Sequence, residues 1–173
     1  MNEGFNVWLT GQSKVGKEAL AKALRDLLEP RGFAVEIVRE KDLQNEKVPG
    51  LDTDGLEADP LIAACRLLNK HGVTCLVLTD RPYVPQHGEM RCKRPDFIEI
   101  FIPAAKGSKA EPGFNPPKYP DMVLDMSSTP VEEAARQALG LLDNLGYLRE
   151  SGGVYTAEEE EKVRKRLEDL GYI

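Results

Sequence analysis

Cysteine and histidine are scarce in this chain, which has 173 residues but only three cysteines and two histidines. The cysteines, Cys65, Cys75 and Cys92, form no CxxC pair, and their number is odd. A disulfide framework needs paired cysteines, and a structural zinc site needs clustered cysteine and histidine ligands. The sequence therefore predicts neither, and it favours a reducing, cytoplasmic location. His71 and His87 are expected on the surface.

Long apolar runs and an excess of positive charge are also missing. No stretch approaches the roughly 20 apolar residues that cross a bilayer. The start MNEGFNVWLTG lacks the basic segment and apolar core of a secretory signal. The net charge is −6, whereas proteins that grip nucleic-acid phosphates carry an excess of lysine and arginine. We therefore expect no membrane span and no nucleic-acid partner.

Predicted strands and helices alternate along the chain. The strands cover residues 5–9, 33–38, 73–79, 96–102 and 121–125, and the helices cover 17–29, part of 58–72 and 129–145. A run such as VTCLVLT, which is apolar on both faces, is typical of a parallel strand covered on both sides. The alternation therefore predicts an α/β protein with a parallel sheet between helical layers. Ligands of such sheets bind at the carboxyl ends of the strands.

Three local features complete this prediction. The polar stretch from 39 to 60 is expected to be irregular, and Trp8 is expected in the core. Thr129 is the predicted N-cap of the helix that follows it, with Pro130 in the first turn and Glu132 in a capping box.

The end of the chain has a different character. We expect residues 1–148 to form the domain and residues 149–173 to form a glycine-containing joint and a charged amphipathic helix. The apolar stripe of that helix contains Val163, Leu167 and Leu170. It is expected to pack on its own domain, and the alternative is that it binds a protein partner.

The stretch GQSKVGKEAL, which follows the first predicted strand, indicates a phosphate-binding loop. The usual pattern is G-x-x-x-x-G-K followed by Ser or Thr, between a strand and a helix. Backbone N–H groups of such a loop and the positive end of the helix face an anion, and the lysine reaches the terminal phosphates. The predicted phosphate-binding residues are Gly11, Gln12, Ser13, Lys14, Val15, Gly16, Lys17 and Glu18.

Glu18 departs from this pattern, because it stands where a hydroxyl normally binds magnesium. Three interpretations stay open. Its carboxylate is a direct ligand of Mg2+, or it pairs with Lys17, or it repels a phosphate. A carboxylate in the first turn also stabilises the helix itself.

The chain resembles the adenylylsulfate kinase family from about Gly4 to Leu148. The resemblance rests on four stretches: GFNVWLTGQSKVGKEALAKALRDLLEPRGFAVEIV, DFIEIFI, Pro82-Tyr83, and PPKYPDMVLDMSSTPVEEAARQALGLLDNLGYL. It implies a five-stranded parallel sheet of the P-loop nucleoside-kinase type, with helices on both faces. It also implies transfer of the γ-phosphate of ATP, with magnesium, to the 3′-hydroxyl of adenylylsulfate in sulfate assimilation.

Departures from the family fall where this chemistry takes place. The family's D-G-D after the second strand aligns with Arg39-Glu40-Lys41, and the Arg that follows it aligns with Gln44. Its D-R-x-x-N-x-R pattern should fall in residues 51–60, LDTDGLEADP, which contain no Arg and no Asn.

The acceptor segment and the lid also differ. In the family's S-P-[FY]-R segment, Arg81 and Val84 replace the Ser and the Arg. The family's long basic lid is reduced to PAAKGSKAEPGFNPP, in which Lys106 and Lys109 keep some charge.

Three hypotheses follow, in order of preference. The first is a degenerate member of the family, a pseudoenzyme that binds a nucleotide or another anion weakly or not at all and has a regulatory or scaffolding role. The second is a MgATP-dependent kinase of a different anionic acceptor, with Glu18 as the metal ligand and with Arg39, Lys41, Arg81 and Tyr83 on the acceptor side. The third is an active adenylylsulfate kinase. Tyr83 stacks on an adenine or is simply a packed aromatic.

Overall fold

The computed structural model describes residues 4–12, 15–43, 60–79, 97–109 and 111–148. The strands are β1 (Asn6–Gly11), β2 (Ala34–Arg39), β3 (Val73–Thr79), β4 (Phe97–Ile102) and β5 (Met122–Val123). The helices are α1 (Lys17–Leu28), α2 (Glu40–Leu43), α3 (Pro60–Lys70) and α4 (Val131–Asn144), with a short 3-10 turn at Glu29–Arg31.

The five strands form one parallel sheet in the order β2-β3-β1-β4-β5. Strand β1 lies in the centre, between β3 and β4. After β1, the chain forms β2 and β3 on one side of β1, and later it forms β4 and β5 on the other side. The loop after β1 therefore lies where the strand order reverses, which is the usual ligand position in an open α/β sheet.

Helices cover both faces of this sheet. Side chains of a strand point to alternate faces, so Val7 and Leu9 pack in the core with α1 and α4, whereas Trp8 packs in a second core with α3. Trp8 lies against Phe97 with ring centroids 5.3 Å apart. The predicted fold, a five-stranded parallel sheet between helical layers, is confirmed, as is the burial of Trp8.

Helix α2 is a correction, because the sequence predicted irregular structure there. Its four residues carry no repeating apolar pattern, and so short a helix is unstable alone. A tertiary contact holds it, because the Thr79 hydroxyl donates to the buried Glu40 carboxylate (2.6 Å). A local ion pair is added by Arg39, which lies 3.8 Å from Asp42.

The predicted cap of α4 is also wrong. The N-cap is Pro130, no side chain caps this helix, and the backbone N–H of Thr129 donates to the Asp125 carbonyl (3.0 Å). The turn is held by Asp125 instead, whose carboxylate accepts from the Ser127 N–H (2.9 Å) and hydroxyl. These bonds from Ser127 lower the pKa of Asp125.

The predicted surface position of His71 is confirmed. Cys65 and Cys75 are buried thiols, and His71 is exposed. Cys92 and His87 lie outside the described residues. Among the helices of the described ranges, none is long and apolar enough to cross a membrane.

Candidate phosphate-binding site

Gly11 and Gly16, at the two ends of the loop between β1 and α1, stand at positions that favour glycine. A Cβ on Gly11 would lie 2.4 Å from the carbonyl oxygen of Ile102, so only glycine fits where the end of β1 pairs with β4. Gly16 has φ 92°, a left-handed conformation that side chains disfavour, and α1 begins directly after it. Ser13 and Lys14, two of the predicted loop residues, lie outside the described part of the chain.

Lys17 is folded back over this loop. Its Nζ donates to the carbonyl oxygens of Gly11 and Gln12, the latter at 2.9 Å, and the residue is 7% exposed. These bonds hold the ammonium group beside the first turn of α1, where the helix dipole is also positive. Two sources of positive potential therefore act at the same place, which suits an anion.

Glu18 forms an ion pair with Arg39 across the carboxyl edge of the sheet. Nε of Arg39 donates to Oε2 of Glu18 at 3.0 Å, and Nη2 donates to Oε1. Such a bidentate arrangement is the strongest form of an arginine–carboxylate contact. The ammonium group of Lys22, one turn further along α1, lies 3.6 Å from Oε1 of Glu18. The predicted pairing of Glu18 with Lys17 is not what the structure shows: Glu18 pairs with Arg39 and Lys22, whereas Lys17 bonds the carbonyl oxygens of Gly11 and Gln12.

The ion pair shifts the titration of both partners. Hydrogen bonds from Arg39 hold the pKa of the Glu18 carboxyl below its ordinary value, against the opposing effect of partial burial. The same bonds raise the pKa of Arg39. Both groups are therefore charged throughout the neutral range.

This shift predicts a small dependence of stability on pH. Because the pKa of Glu18 is lower in the folded state than in the unfolded state, its contribution is complete above the unfolded pKa and is lost as the pH falls through the folded pKa. The side chains of Arg39 and Glu18 are 29% and 43% exposed, so solvent screening limits this contribution to less than about 1 kcal/mol. Urea unfolding between about pH 5 and pH 3 should show a steeper loss of stability for the native chain than for Arg39→Gln. Equal slopes would mean that the ion pair does not form in solution.

The residues at this point do not fit a magnesium ion. Both oxygens of Glu18 accept hydrogen bonds from Arg39, and Arg39 brings a guanidinium to the place where the resemblance expects an acidic motif. A guanidinium bonded to the Glu18 carboxylate would repel a divalent cation bound to the same oxygens. Within the ranges that the structure describes, no group of three or more Asp, Glu, His or Cys side chains is arranged to hold a metal.

Two buried glutamates, Glu40 and Glu99, are hydrogen-bonded near the start of the loop, and the sequence predicted neither as a site residue. Thr10 and Thr79 are register partners on β1 and β3. The Thr10 hydroxyl donates to Glu99 (3.0 Å), and the Thr79 hydroxyl donates to Glu40 (2.6 Å). The available signal was a glutamate inside an apolar strand, FIEIFI, and another directly after β2.

A cleft of about 500 Å³ adjoins the loop on the side of β4 and β5. Gln12, Val15 and Gly16 form one wall. The opposite walls come from the segments after β4 and β5, with Pro103, Ala104, Ala105, Ser108, Lys109, Glu111, Met126, Ser127 and Val131. The cleft therefore joins the loop to a partly apolar space.

The predicted acceptor-side residues are only partly described. Arg39 is engaged with Glu18, and Lys41 is exposed on α2. Arg81 and Tyr83 lie outside the described residues. Lys106 and Lys109 are exposed on the loop after β4, and Lys109 also lines the cleft.

Comparison with known proteins gives consistent matches to one family. The family model described as adenylylsulphate kinase matches residues 3–111. The adenylyl-sulfate kinase of Gloeothece citriformis is 29% identical over 84% of this chain and 98% of its own length. That of Deinococcus deserti is 31% identical over 83% of this chain and 92% of its own length.

Solved structures support the fold. An APS kinase of Mycobacterium tuberculosis, solved with AMPPNP and APS, superposes with a TM-score of 0.64 at 22% identity, covering 83% of this chain and 99% of that one. A gluconokinase of Sinorhizobium meliloti gives a TM-score of 0.53 at 14% identity, covering 85% and 96%.

Proposed function

Because this chain belongs to the adenylylsulphate kinase family, we propose that its loop binds the phosphates of a nucleotide such as ATP and that the chain has lost phosphoryl transfer. Its role is then regulatory or scaffolding, with the nucleotide as a ligand. The single observation that carries this proposal is the Arg39–Glu18 ion pair at the start of α1, directly after Lys17 of the G-x-x-x-x-G-K pattern.

Binding is supported by the loop itself. Gly11 and Gly16 keep the backbone path that a phosphate cradle needs. Lys17 and the start of α1 supply positive charge. The adjoining cleft gives the base and ribose a partly apolar place beside Val15 and Gly16.

Loss of transfer is supported by what has replaced the metal ligands. Enzymes that move a phosphoryl group rely on positioning and on neutralising charge between the phosphates, for which P-loop kinases use magnesium. Glu18 and Arg39 hold each other where the hydroxyl and the acidic motif would hold that ion. Among the residues that the structure describes, we assign none to the role of that ion in phosphoryl transfer.

A second candidate keeps the reaction. The sequence keeps Gly11, Gly16 and Lys17 of the phosphate-loop pattern, and relatives named adenylyl-sulfate kinase match along nearly their whole length. Arg39 and Lys41 would then face an anionic acceptor, either adenylylsulfate or another molecule. This candidate requires Arg39 to release Glu18 before magnesium can bind.

The remaining assignments rest on the sequence alone. We propose a domain over residues 1–148 and a separate segment over 149–173, which packs on the domain or binds a protein partner. We also propose a cytoplasmic location and no nucleic-acid partner.

The test is calorimetric titration of the full chain with ATP, followed by adenylylsulfate added to the ATP-saturated protein. We expect ATP to bind with a Kd of about 1 mM or tighter, because the cradle and its cations are in place. Absence of ATP binding, both with magnesium and with EDTA, would contradict the proposal and leave GQSKVGKEAL as only a strand–turn–helix.

A further inference from the structure

Arg39 reaches the phosphate loop from a distant strand. It is the last residue of β2, which is separated from β1 by β3. Its guanidinium nevertheless meets the first turn of α1, one residue after Lys17. The side chain therefore places a fixed positive charge at Glu18, the residue that follows Lys17 in the first turn of α1.

The guanidinium has donors to spare. Nε and Nη2 bond Glu18, and the other contact among the described residues is an ion pair from Nη1 to Asp42 at 3.8 Å, which is longer than a hydrogen bond. An arginine has five N–H donors in a planar fork that matches phosphate oxygens. With its side chain 29% exposed, Arg39 can offer the remaining donors to a ligand on the solvent side.

We propose that the Arg39 guanidinium takes the place of magnesium, so that the loop selects metal-free nucleotide polyphosphates over their magnesium complexes. This inference rests on the proposed function, because it concerns the same loop. It specifies that the loop binds the nucleotide without magnesium.

Charge explains the selection. The loop region combines Lys17, Lys22 and Arg39 with the carboxylates Glu18 and Asp42. A metal-free polyphosphate brings its full negative charge to these cations. A magnesium complex brings less negative charge, and its cation would lie beside Arg39, where like charges repel. To be bound through Glu18, magnesium would also have to break the bidentate pair and leave Arg39 without its partner.

The experiment is calorimetry of the full-length chain with ATP in EDTA and in excess magnesium chloride, at matched ionic strength because salt screens such contacts. We expect ATP to bind at least about fivefold tighter in EDTA. Equal affinity, or tighter binding in magnesium, would overturn the inference. This comparison needs no variant and so does not depend on how a substitution folds.

Two variants sharpen the test. Arg39→Gln should weaken ATP binding in EDTA at least about tenfold, whereas Arg136→Gln, the same change at an exposed residue of α4, should leave it unchanged. The double change Glu18→Ser with Arg39→Asp restores the family residues at these two positions and should make ATP bind at least about tenfold tighter with magnesium than without. A double variant that still prefers metal-free ATP would count against Arg39 as the selecting residue.

The outcomes separate this inference from the proposed function. If the native chain binds ATP in neither buffer, both fall. If it prefers the magnesium complex and that binding needs Lys17, nucleotide binding stands and the metal-free selection falls.

Discussion

Replacing Lys17 with alanine is expected to abolish measurable ATP binding. The Lys17 ammonium is held over the loop by the carbonyl oxygens of Gly11 and Gln12, with little freedom to move away. Its removal takes away a charge that is mostly shielded from solvent, and truncating one partner of such a contact costs binding about a hundredfold or more. Calorimetry in EDTA, where the native chain should bind most tightly, measures this loss directly.

The matched control is Lys70→Ala. Lys70 is an exposed lysine at the end of α3, at the opposite edge of the sheet from the loop. The Lys70→Ala change lowers the net charge of the chain by the same amount as Lys17→Ala. Because Lys70 lies far from the loop, ATP affinity should stay at the native value. Thermal unfolding should show that Lys17→Ala remains folded. Native affinity in folded Lys17→Ala would remove the phosphate loop from the binding site.

Phosphoryl transfer to adenylylsulfate is expected to be at least about a thousandfold slower than in an active family member. This expectation follows from the proposed function, in which Arg39 and Glu18 hold each other where magnesium would bind. A steady-state assay of ADP formation, with both substrates and magnesium in excess, measures the rate. The adenylyl-sulfate kinase of Gloeothece citriformis, which matches over 84% of this chain, is a suitable positive control.

The variant Glu18→Ser with Arg39→Asp separates two causes of a low rate. If the ion pair alone blocks transfer, this variant should gain ADP formation that depends on adenylylsulfate. If the acceptor residues and lid have also changed, as the sequence indicates, the variant should bind the magnesium complex and still fail to transfer. A native rate within about tenfold of the control enzyme would show that transfer is not lost.

Most of the fold was predictable because its signals are local. Apolar strands such as Val73–Thr79 and the helix Lys17–Leu28 follow directly from the spacing of apolar residues. The misses depended on hydrogen bonds that the spacing of apolar residues does not report. Helix α2 is held by a bond from the distant Thr79 to Glu40, and the turn before α4 is held locally, by Asp125 in place of Thr129.

The candidate site was predictable only in part, for the same reason. The pattern G-x-x-x-x-G-K identified Gly11, Gly16 and Lys17, because a loop that bends around an anion constrains neighbouring residues. The pattern left the role of Glu18 ambiguous, because its partner is Arg39. Arg39 is 21 residues further along the chain and lies on β2, two strands from β1 in the sheet. Sequence alignment to the family placed Arg39 among the departures, and only the structure joined the two departures into one ion pair.

Loss of transfer despite nucleotide binding is tested most directly by a single-turnover experiment. The full chain, in excess over ATP labelled at its γ-phosphate, is mixed with adenylylsulfate and magnesium, and the labelled products are separated over time. This measurement detects a single chemical event on the protein, whether or not product release is slow. We predict that the label stays in ATP for hours. Transfer of the label to adenylylsulfate within seconds, at a rate proportional to bound ATP, would contradict the proposed function and identify the chain as an active kinase.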